Sequence, residues 1–242
     1  PVSVPGETIN RLCASGLAAA TNAARMLALG DADIVIAGGV ENMTRGPWVM
    51  SKASKAFGRD SQMHDSSFGW RFINPNLEKI YGVDGMGVTA ENLVDLHGIS
   101  REDQDTFAFH SHRKATAARD QGVLAEEIVP VAIPRRKQDD LIFEHDEFIR
   151  SGTTLDILSK LRPAFRKEGG SVTAGNASGL NDGSAALLLA NAQGLKSQNL
   201  EPLAEILSSA VIGVEPRIMG IGPVKASEIA LKRAGLTFAD ID

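Results

Sequence analysis

The N-terminal part of the chain has a pattern of small apolar residues and turn-forming residues that predicts a helix followed by a buried strand. Thr8 to Leu29 is alanine-rich, contains good helix formers throughout, and is ended by Gly30-Asp31. Small side chains on nearly every face of this segment predict a core helix that is packed on several sides. The apolar run from Asp33 to Ala37 ends at Gly38-Gly39, which predicts a buried strand followed by a sharp turn. A helix followed by a buried strand predicts an α/β fold with a mostly parallel sheet.

The rest of the chain is less regular, but its pattern predicts two further helices and two further strands. A helix is predicted from Ser100 to Gln121, because Ser100 is a good N-cap and acidic residues follow it in the first turn. Val129 to Pro134 is a short strand next to the basic group Arg135-Arg136-Lys137. Ala185 to Ala190 is a second buried strand, and Val224 to Ala234 is a helix.

Composition and charge exclude several classes of protein. The chain has 242 residues, 43% of them hydrophobic and 23% charged, and this length supports one substantial core or two small ones. No uninterrupted run of about eighteen apolar residues occurs, so no membrane-spanning segment is expected. The formal net charge of −5 argues against a general nucleic-acid binder. A single cysteine excludes an internal disulfide framework and fits a reducing, cytoplasmic compartment.

Neither a metal site nor a clear nucleophile follows from single residues. His110-Ser111-His112 has a ligand-like spacing, but no third ligand is evident nearby, so a surface feature is the better interpretation. Cys13, the only cysteine, lies at the head of the alanine-rich helix, where the partial positive charge of a helix N-terminus stabilises a thiolate. A lone cysteine is otherwise a small apolar core residue, and from the residue alone this structural role is favoured.

The residues around Cys13 change that balance. Asn10-Arg11-Leu12-Cys13-Ala14-Ser15-Gly16 resembles the nucleophile segment of the thiolases, acyl-CoA acyltransferases that make or break 3-oxoacyl-CoA. Further segments resemble the same family in the same order, and they are Ala37 to Met43, Thr89 to Leu93, Leu161 to Phe165, Thr173 to Gly183 and Met219 to Val224. Because these segments extend along nearly the whole chain, the sequence is identified as a member of this family.

The resemblance implies a fold and a domain organisation. It implies a layered α/β fold with buried helices between mixed sheets and an inserted loop domain, incomplete at both ends. Residues 1–43 would be part of the N-terminal domain and carry the nucleophile helix, and residues 44–171 would be the loop domain that covers the coenzyme A site. Residues 172–192 would return to the N-terminal domain, and residues 193–242 would begin the C-terminal domain. The family's catalytic histidine and second catalytic cysteine would lie beyond the equivalent of Asp242, so a segment of a longer protein is expected.

The resemblance also implies a function and a set of site residues. The function would be cleavage of a 3-oxoacyl-CoA by coenzyme A, or the reverse condensation, through an acyl-enzyme on Cys13. Coenzyme A would be a co-substrate, with no permanently bound cofactor and no metal, and the protein would be a homodimer or homotetramer. The positions that match the family's coenzyme A contacts are Met86, Arg150, Phe165, Ala174, Ser178 and Met219.

Some residues depart from the family pattern or match a subgroup. Short-chain acetoacetyl-CoA thiolases commonly carry a histidine before the methionine, where this chain has Gly85. Gly69 to Asn74 resembles the 3-oxoadipyl-CoA thiolases of aromatic catabolism, and Arg59 or Arg71 could pair with the terminal carboxylate of such a substrate or be structural. None of the five histidines lies in a stretch that matches the family's histidine segment, so none is assigned as the base. The alternative function is a thiolase-like protein that binds acyl-CoA or lipid without turnover.

Overall fold

The computed structural model describes residues 1–242, and the chain folds into two compact units. The first unit comprises Pro1–Phe72, Leu180–Val214 and Ile221–Asp242. The second comprises Ile73–Gly179 and Glu215–Gly220. Cys13 belongs to the first unit, whereas all the predicted coenzyme A contacts belong to the second.

The first unit is built on one helix and a pair of strands. Helix α1 (Ser15–Leu29) packs on strands β1 (Ile34–Glu41) and β6 (Gly183–Ala190). The core of this unit consists of buried apolar side chains from all three elements, namely Ala20, Ala23, Leu27, Ala37 and Leu189. The helix ends at Gly30, which has φ 80°, a left-handed conformation that glycine adopts at little cost.

The strand pair differs from the sequence prediction in direction and in length. β1 and β6 are antiparallel, with Ile34 opposite Ala190 and Glu41 opposite Gly183, so the prediction of a mostly parallel sheet is wrong for this pair. The predicted turn at Gly38-Gly39 is also wrong, because β1 continues to Glu41. A side chain at Gly38 would overlap the carbonyl oxygen of Ala185, so this glycine allows the two backbones to approach closely.

The boundaries and packing of α1 also differ from the prediction. The helix begins at Ser15 after a single 3₁₀ turn (Leu12–Ala14), and not at Thr8. Only one face of α1 is buried, because β1 and β6 cover that face, while Leu17 on another face is 74% exposed. The segment Leu12–Leu29 is long and apolar enough to cross a membrane. This is weak evidence for a membrane span, because core helices of soluble proteins have the same length and composition.

The remaining elements of the first unit are short apart from one helix. Strands β2 (Trp48–Met50) and β3 (Met63–Asp65) form an antiparallel pair. Helix α6 (Ala192–Gln198) follows β6, and the side chain of Asn191 caps it by accepting from the N–H of Gly194 at 2.8 Å. Helix α7 (Gly222–Ala234) agrees with the predicted helix to within two residues at its start, and a 3₁₀ turn (Phe238–Asp240) follows it.

The second unit is mainly helical. It contains α2 (Pro75–Tyr81), α3 (Met86–His97), α4 (Arg101–Asp120) and α5 (Leu155–Ser159), with an antiparallel strand pair of β4 (Val131–Ile133) and β5 (Leu141–Phe143). The predicted helix at Ser100 is confirmed, since the Ser100 hydroxyl accepts from the N–H of Asp103 at 3.0 Å. The predicted strand from Val129 is confirmed over its central residues.

Candidate functional site

Cys13 lies in a backbone turn that side chains hold on both sides. It is exposed, and it occupies the middle of the 3₁₀ turn that leads into α1. The preceding residue, Leu12, has φ 51°, which is unfavourable for a residue with a side chain. The Asn10 side chain accepts from the Leu12 N–H at 2.9 Å, and the Ser15 hydroxyl donates to the Leu12 carbonyl oxygen at 2.7 Å. The same hydroxyl accepts from the Arg11 N–H at 2.8 Å, so hydrogen bonds fix the strained residue from both directions.

The turn at Cys13 leads into a helix N-terminus whose partial positive charge no side chain neutralises. Helix α1 has no acidic residue in its first turn and no side-chain cap at Ala14. The first N–H groups of a helix carry a partial positive charge, which favours an anion placed beside them. Cys13 lies two residues before Ser15, the first residue of α1, so an anion bound beside this turn is close to the partial positive charge of the helix end.

The six predicted coenzyme A contacts all have exposed side chains in the second unit. Met86 is the first residue of α3, and it is 63% exposed. Ala174 and Ser178 lie in the segment Ser171–Gly179, which we call the glycine-rich turn, and both are exposed. Arg150 is exposed in the loop before α5, and Phe165 and Met219 are 50% and 39% exposed. All of these side chains are therefore accessible to a ligand.

One face of α3 contacts the segments that carry Phe165 and the glycine-rich turn. Gly87, Glu91 and Asp95 are spaced by four residues, which puts them in one row along the helix. The ring of Phe165 lies directly over Gly87. Glu91 accepts hydrogen bonds from Ser171 and Val172, and Asp95 pairs with Arg166 at 2.9 Å. The Arg166 guanidinium, as a hydrogen-bond donor, holds the pKa of Asp95 below its ordinary value.

A second set of contacts on α3 holds the segment that carries Met219. The side chain of Asn92 donates to the carbonyl oxygen of Arg217 at 2.9 Å and to Asp84 at 2.8 Å. Arg217 donates to the same Asp84 oxygen at 2.8 Å. These two donors, Arg217 before Asn92, hold the pKa of Asp84 below its ordinary value. Asn92 lies in the family segment Thr89 to Leu93, but its contacts with Arg217 and Asp84 could not be predicted from the sequence, because they join residues far apart in the chain.

The histidines have varied neighbours. His64 contacts the ring of Phe72 edge-on at 5.4 Å, and His145 lies 3.9 Å from Glu144. Nδ1 of His112 accepts from the backbone N–H of Arg150 at 3.3 Å, so this histidine helps to fix the loop of a predicted coenzyme A contact. The structure contains no group of three or more His, Cys, Asp or Glu side chains that could hold a metal ion.

Sequence reasoning missed one aromatic residue near the glycine-rich turn. The ring of Phe148 lies so close to Gly179 that a side chain there would overlap it. Phe148 is 47% exposed and lies two residues before Arg150. Its proximity to Arg150 in the sequence was the only available signal, because the contact with Gly179 depends on the chain path.

The chain matches two family models. Residues 1–193 match the thiolase N-terminal domain, and residues 200–242 match the thiolase C-terminal domain. It is 51% identical to the 3-oxoadipyl-CoA/3-oxo-5,6-dehydrosuberyl-CoA thiolase of Escherichia coli K12 and 50% identical to a beta-ketoadipyl-CoA thiolase of Acinetobacter baylyi. Each of these matches covers 100% of this chain, but the chain spans only 60% of the length of either relative.

Solved structures have the same fold. The human mitochondrial 3-ketoacyl-CoA thiolase superposes with a TM-score of 0.85 at 39% identity, and the match covers 100% of this chain and 59% of that one. The acetyl-CoA acetyltransferase of Bacillus anthracis superposes with a TM-score of 0.81 at 40% identity, over 100% of this chain and 60% of that one. The predicted α/β fold of this family is therefore confirmed.

Proposed function

This chain belongs to the thiolase family, and from that premise we propose that the intact protein is an acyl-CoA acyltransferase that uses Cys13 as its nucleophile. The observation that carries the proposal is the turn at Cys13. Leu12 is strained and is held by hydrogen bonds on both sides. The next residue, Cys13, carries the only thiol of the chain, and it is exposed close to a helix N-terminus that has no acidic residue or side-chain cap. Strained backbone of this kind persists only where the surrounding structure enforces it, and it is common at active sites.

The proposed reaction has two half-reactions. The Cys13 thiolate attacks the 3-oxo carbonyl carbon of the substrate, and the bond between C2 and C3 then breaks. The electron pair of that bond goes to C2, which takes up a proton and leaves as acetyl-CoA, while the acyl group stays on sulfur as a thioester. The thiolate of a second coenzyme A attacks this thioester, releases the shortened acyl-CoA and restores the Cys13 thiolate. Covalent catalysis divides one difficult step into two easier ones and gives ping-pong kinetics.

Coenzyme A is the co-substrate in this proposal, and the exposed residues of the second unit would bind it. Ser178 would meet a pantetheine amide, since a glycine-rich turn lets the backbone approach a ligand closely. The Arg150 guanidinium would stack on adenine or pair with phosphate. Met86, Phe165, Ala174 and Met219 would line the channel for the pantetheine and acyl parts.

For the acyl group we propose a 3-oxoacyl chain that ends in a carboxylate, such as 3-oxoadipyl-CoA. The names of the Escherichia coli and Acinetobacter relatives support this substrate class. Gly85 supports it as well, because the short-chain acetoacetyl-CoA thiolases commonly carry a histidine at this position and this chain does not. Arg59 and Arg71 are both exposed and are the candidates for pairing with the carboxylate.

We further propose that the intact protein is a homodimer or homotetramer, as its family resemblance implies, and that it lies in the cytoplasm, since a single cysteine fits a reducing compartment. The alternative function, a thiolase-like protein that binds acyl-CoA or lipid without turnover, has less support. A binding module has no need of a thiol in a strained, exposed turn. The intact Cys13 therefore favours the enzyme.

The nucleophile is tested by trapping the acyl-enzyme. Incubation of the intact protein with acetyl-CoA should leave an acetyl group on Cys13, which peptide mass spectrometry detects. Cys13→Ser should lose nearly all cleavage of acetoacetyl-CoA and 3-oxoadipyl-CoA, because a hydroxyl is a much weaker nucleophile near neutral pH. Comparison of kcat/KM for the two substrates tests the substrate class. Acetylation of another residue with Cys13 free, or full turnover by the serine variant, would refute the proposal.

A further inference from the structure

A buried glutamate on α3 has no part in the chemistry described above. Glu91 is 0% exposed, although its side chain is acidic. Its oxygens accept from the N–H of Ser171 at 2.9 and 3.2 Å, from the Ser171 hydroxyl at 3.0 Å and from the N–H of Val172 at 2.9 Å. Burial of a polar group is unfavourable unless hydrogen bonds compensate for the lost water, and here three donors do so. Glu91 therefore binds the first two residues of the glycine-rich turn to α3.

The glycine-rich turn has a buried base and an exposed tip. Ser171, Val172 and Thr173 are 7%, 7% and 0% exposed. Ala174 and Ser178, the predicted ligand contacts, are exposed. A displacement of the base would move the tip with it, because only a few residues separate them along the chain.

Helix α4 provides a second anchor for the same turn. The side-chain oxygen of Asn176 accepts from the Thr173 N–H at 2.7 Å. Its nitrogen donates to the Ser171 carbonyl oxygen and to Asp105, both at 3.0 Å. Asp105 is 4% exposed and pairs with Arg101 at 2.7 Å. The turn is thus held from α3 through Glu91 and from α4 through Asp105.

We propose that Glu91 is a positioning residue for coenzyme A, which holds the glycine-rich turn in the conformation that presents Ala174 and Ser178 to the pantetheine chain. This inference rests on the proposed function of the second unit. Glu91 does not touch the ligand in this scheme and acts through the turn. Its removal should therefore weaken binding of coenzyme A and leave the chemistry at Cys13 intact.

The test uses the intact enzyme and substitutions at Glu91. Glu91→Ala removes every acceptor and leaves two buried N–H groups without a partner, so the KM for coenzyme A should rise roughly tenfold or more with kcat within about twofold of the parent. Glu91→Gln keeps one acceptor oxygen and should raise the KM by roughly threefold, a partial rescue. Glu102→Gln is the matched control, because Glu102 is an exposed acid on α4, and its KM should not change.

A binding readout separates this inference from the proposed function. Isothermal titration calorimetry measures the dissociation constant of coenzyme A for the intact protein without reference to Cys13. This dissociation constant should rise in both Glu91 variants and stay at the parent value in Glu102→Gln. If Glu91→Ala does not fold, the Glu91→Gln variant and its thermal unfolding curve decide the matter.

An unchanged KM and an unchanged dissociation constant for coenzyme A in a folded Glu91→Gln variant would overturn the inference. A loss of kcat at constant KM would overturn it too, because that result indicates a role in the chemistry or in general stability. Failure of the Cys13 labelling experiment would instead refute the proposed function, and the calorimetric dissociation constant would still report on binding of coenzyme A.

Discussion

A methyl group added at Gly87 tests the contact that fixes Phe165 on α3. Gly87 is the second residue of this helix, and a Cβ there would overlap Cγ, Cδ1 and Cδ2 of the Phe165 ring. These atoms are at the near end of the ring, so rotation of the ring about its own axis does not relieve the overlap. Either the Phe165 side chain must leave its position or its backbone must move away from α3.

Two opposing effects determine the result of Gly87→Ala. Replacement of glycine by alanine in a helix stabilises the folded state by at most about 1 kcal/mol, and less in the first turn. Insertion of a methyl group into an occupied space costs about 1–3 kcal/mol. Because Phe165 is 50% exposed and can swing into solvent, the cost should lie at the lower end of that range. We expect a net loss of about 0.5 kcal/mol in the free energy of unfolding, the difference between a cost of about 1 kcal/mol and a gain of about 0.5 kcal/mol.

A double-mutant cycle isolates the contact. The free energy of unfolding is measured by urea denaturation for the parent, Gly87→Ala, Phe165→Ala and the double variant. Without the ring, Gly87→Ala should be neutral or stabilising by up to about 1 kcal/mol, because only the helix-propensity effect remains. The two substitutions should therefore show a coupling energy of about 1 kcal/mol, which is the cost of the overlap. A coupling energy below about 0.5 kcal/mol, the usual limit of additivity, would refute the reasoning.

Two further predictions concern the hydrogen bonds of Asp84 and the strain at Leu12. The pKa of Asp84 is lowered in the folded state, so its contribution to stability is present above the unfolded value of about 4 and is lost as the pH falls through the lowered pKa. Asp84→Asn should therefore cost up to about 1 kcal/mol at neutral pH. The cost should fall as the pH is lowered from neutral through the lowered pKa of Asp84, as a series of urea midpoints over acidic pH would show, and a cost that does not change with pH would contradict the assignment. Leu12 has φ 51°, so Leu12→Gly should change the unfolding midpoint little, because relief of the backbone strain offsets the larger conformational entropy that glycine loses on folding. Leu12→Val should destabilise the protein by about 1–2 kcal/mol, because a β-branched residue tolerates this conformation poorly. Equal effects of the two substitutions would argue against strain at this residue.

The sequence by itself determined the family and the elements whose signals are local. The Ser100 cap and the acids after it predicted the start of α4 correctly, since capping depends on residues three positions apart. The motif around Cys13 and the alanine-rich run after it were sufficient to identify a candidate nucleophile at a helix N-terminus. The boundary of that helix was not predictable to within a few residues, because Thr8 to Arg11 contains no strong helix breaker.

Only the tertiary structure decided how distant segments meet. The antiparallel pairing of Ile34 with Ala190, the bonds from Ser171 and Val172 to Glu91, and the ion pair of Asp84 with Arg217 join residues that are far apart in sequence. Hydrophobic periodicity reports which face of an element is buried but not which partner covers it. A buried acid such as Glu91 is ambiguous in sequence, since its helix position fits an exposed face as well. Its role follows only from the path of the chain, which brings the two N–H groups of the glycine-rich turn to its oxygens.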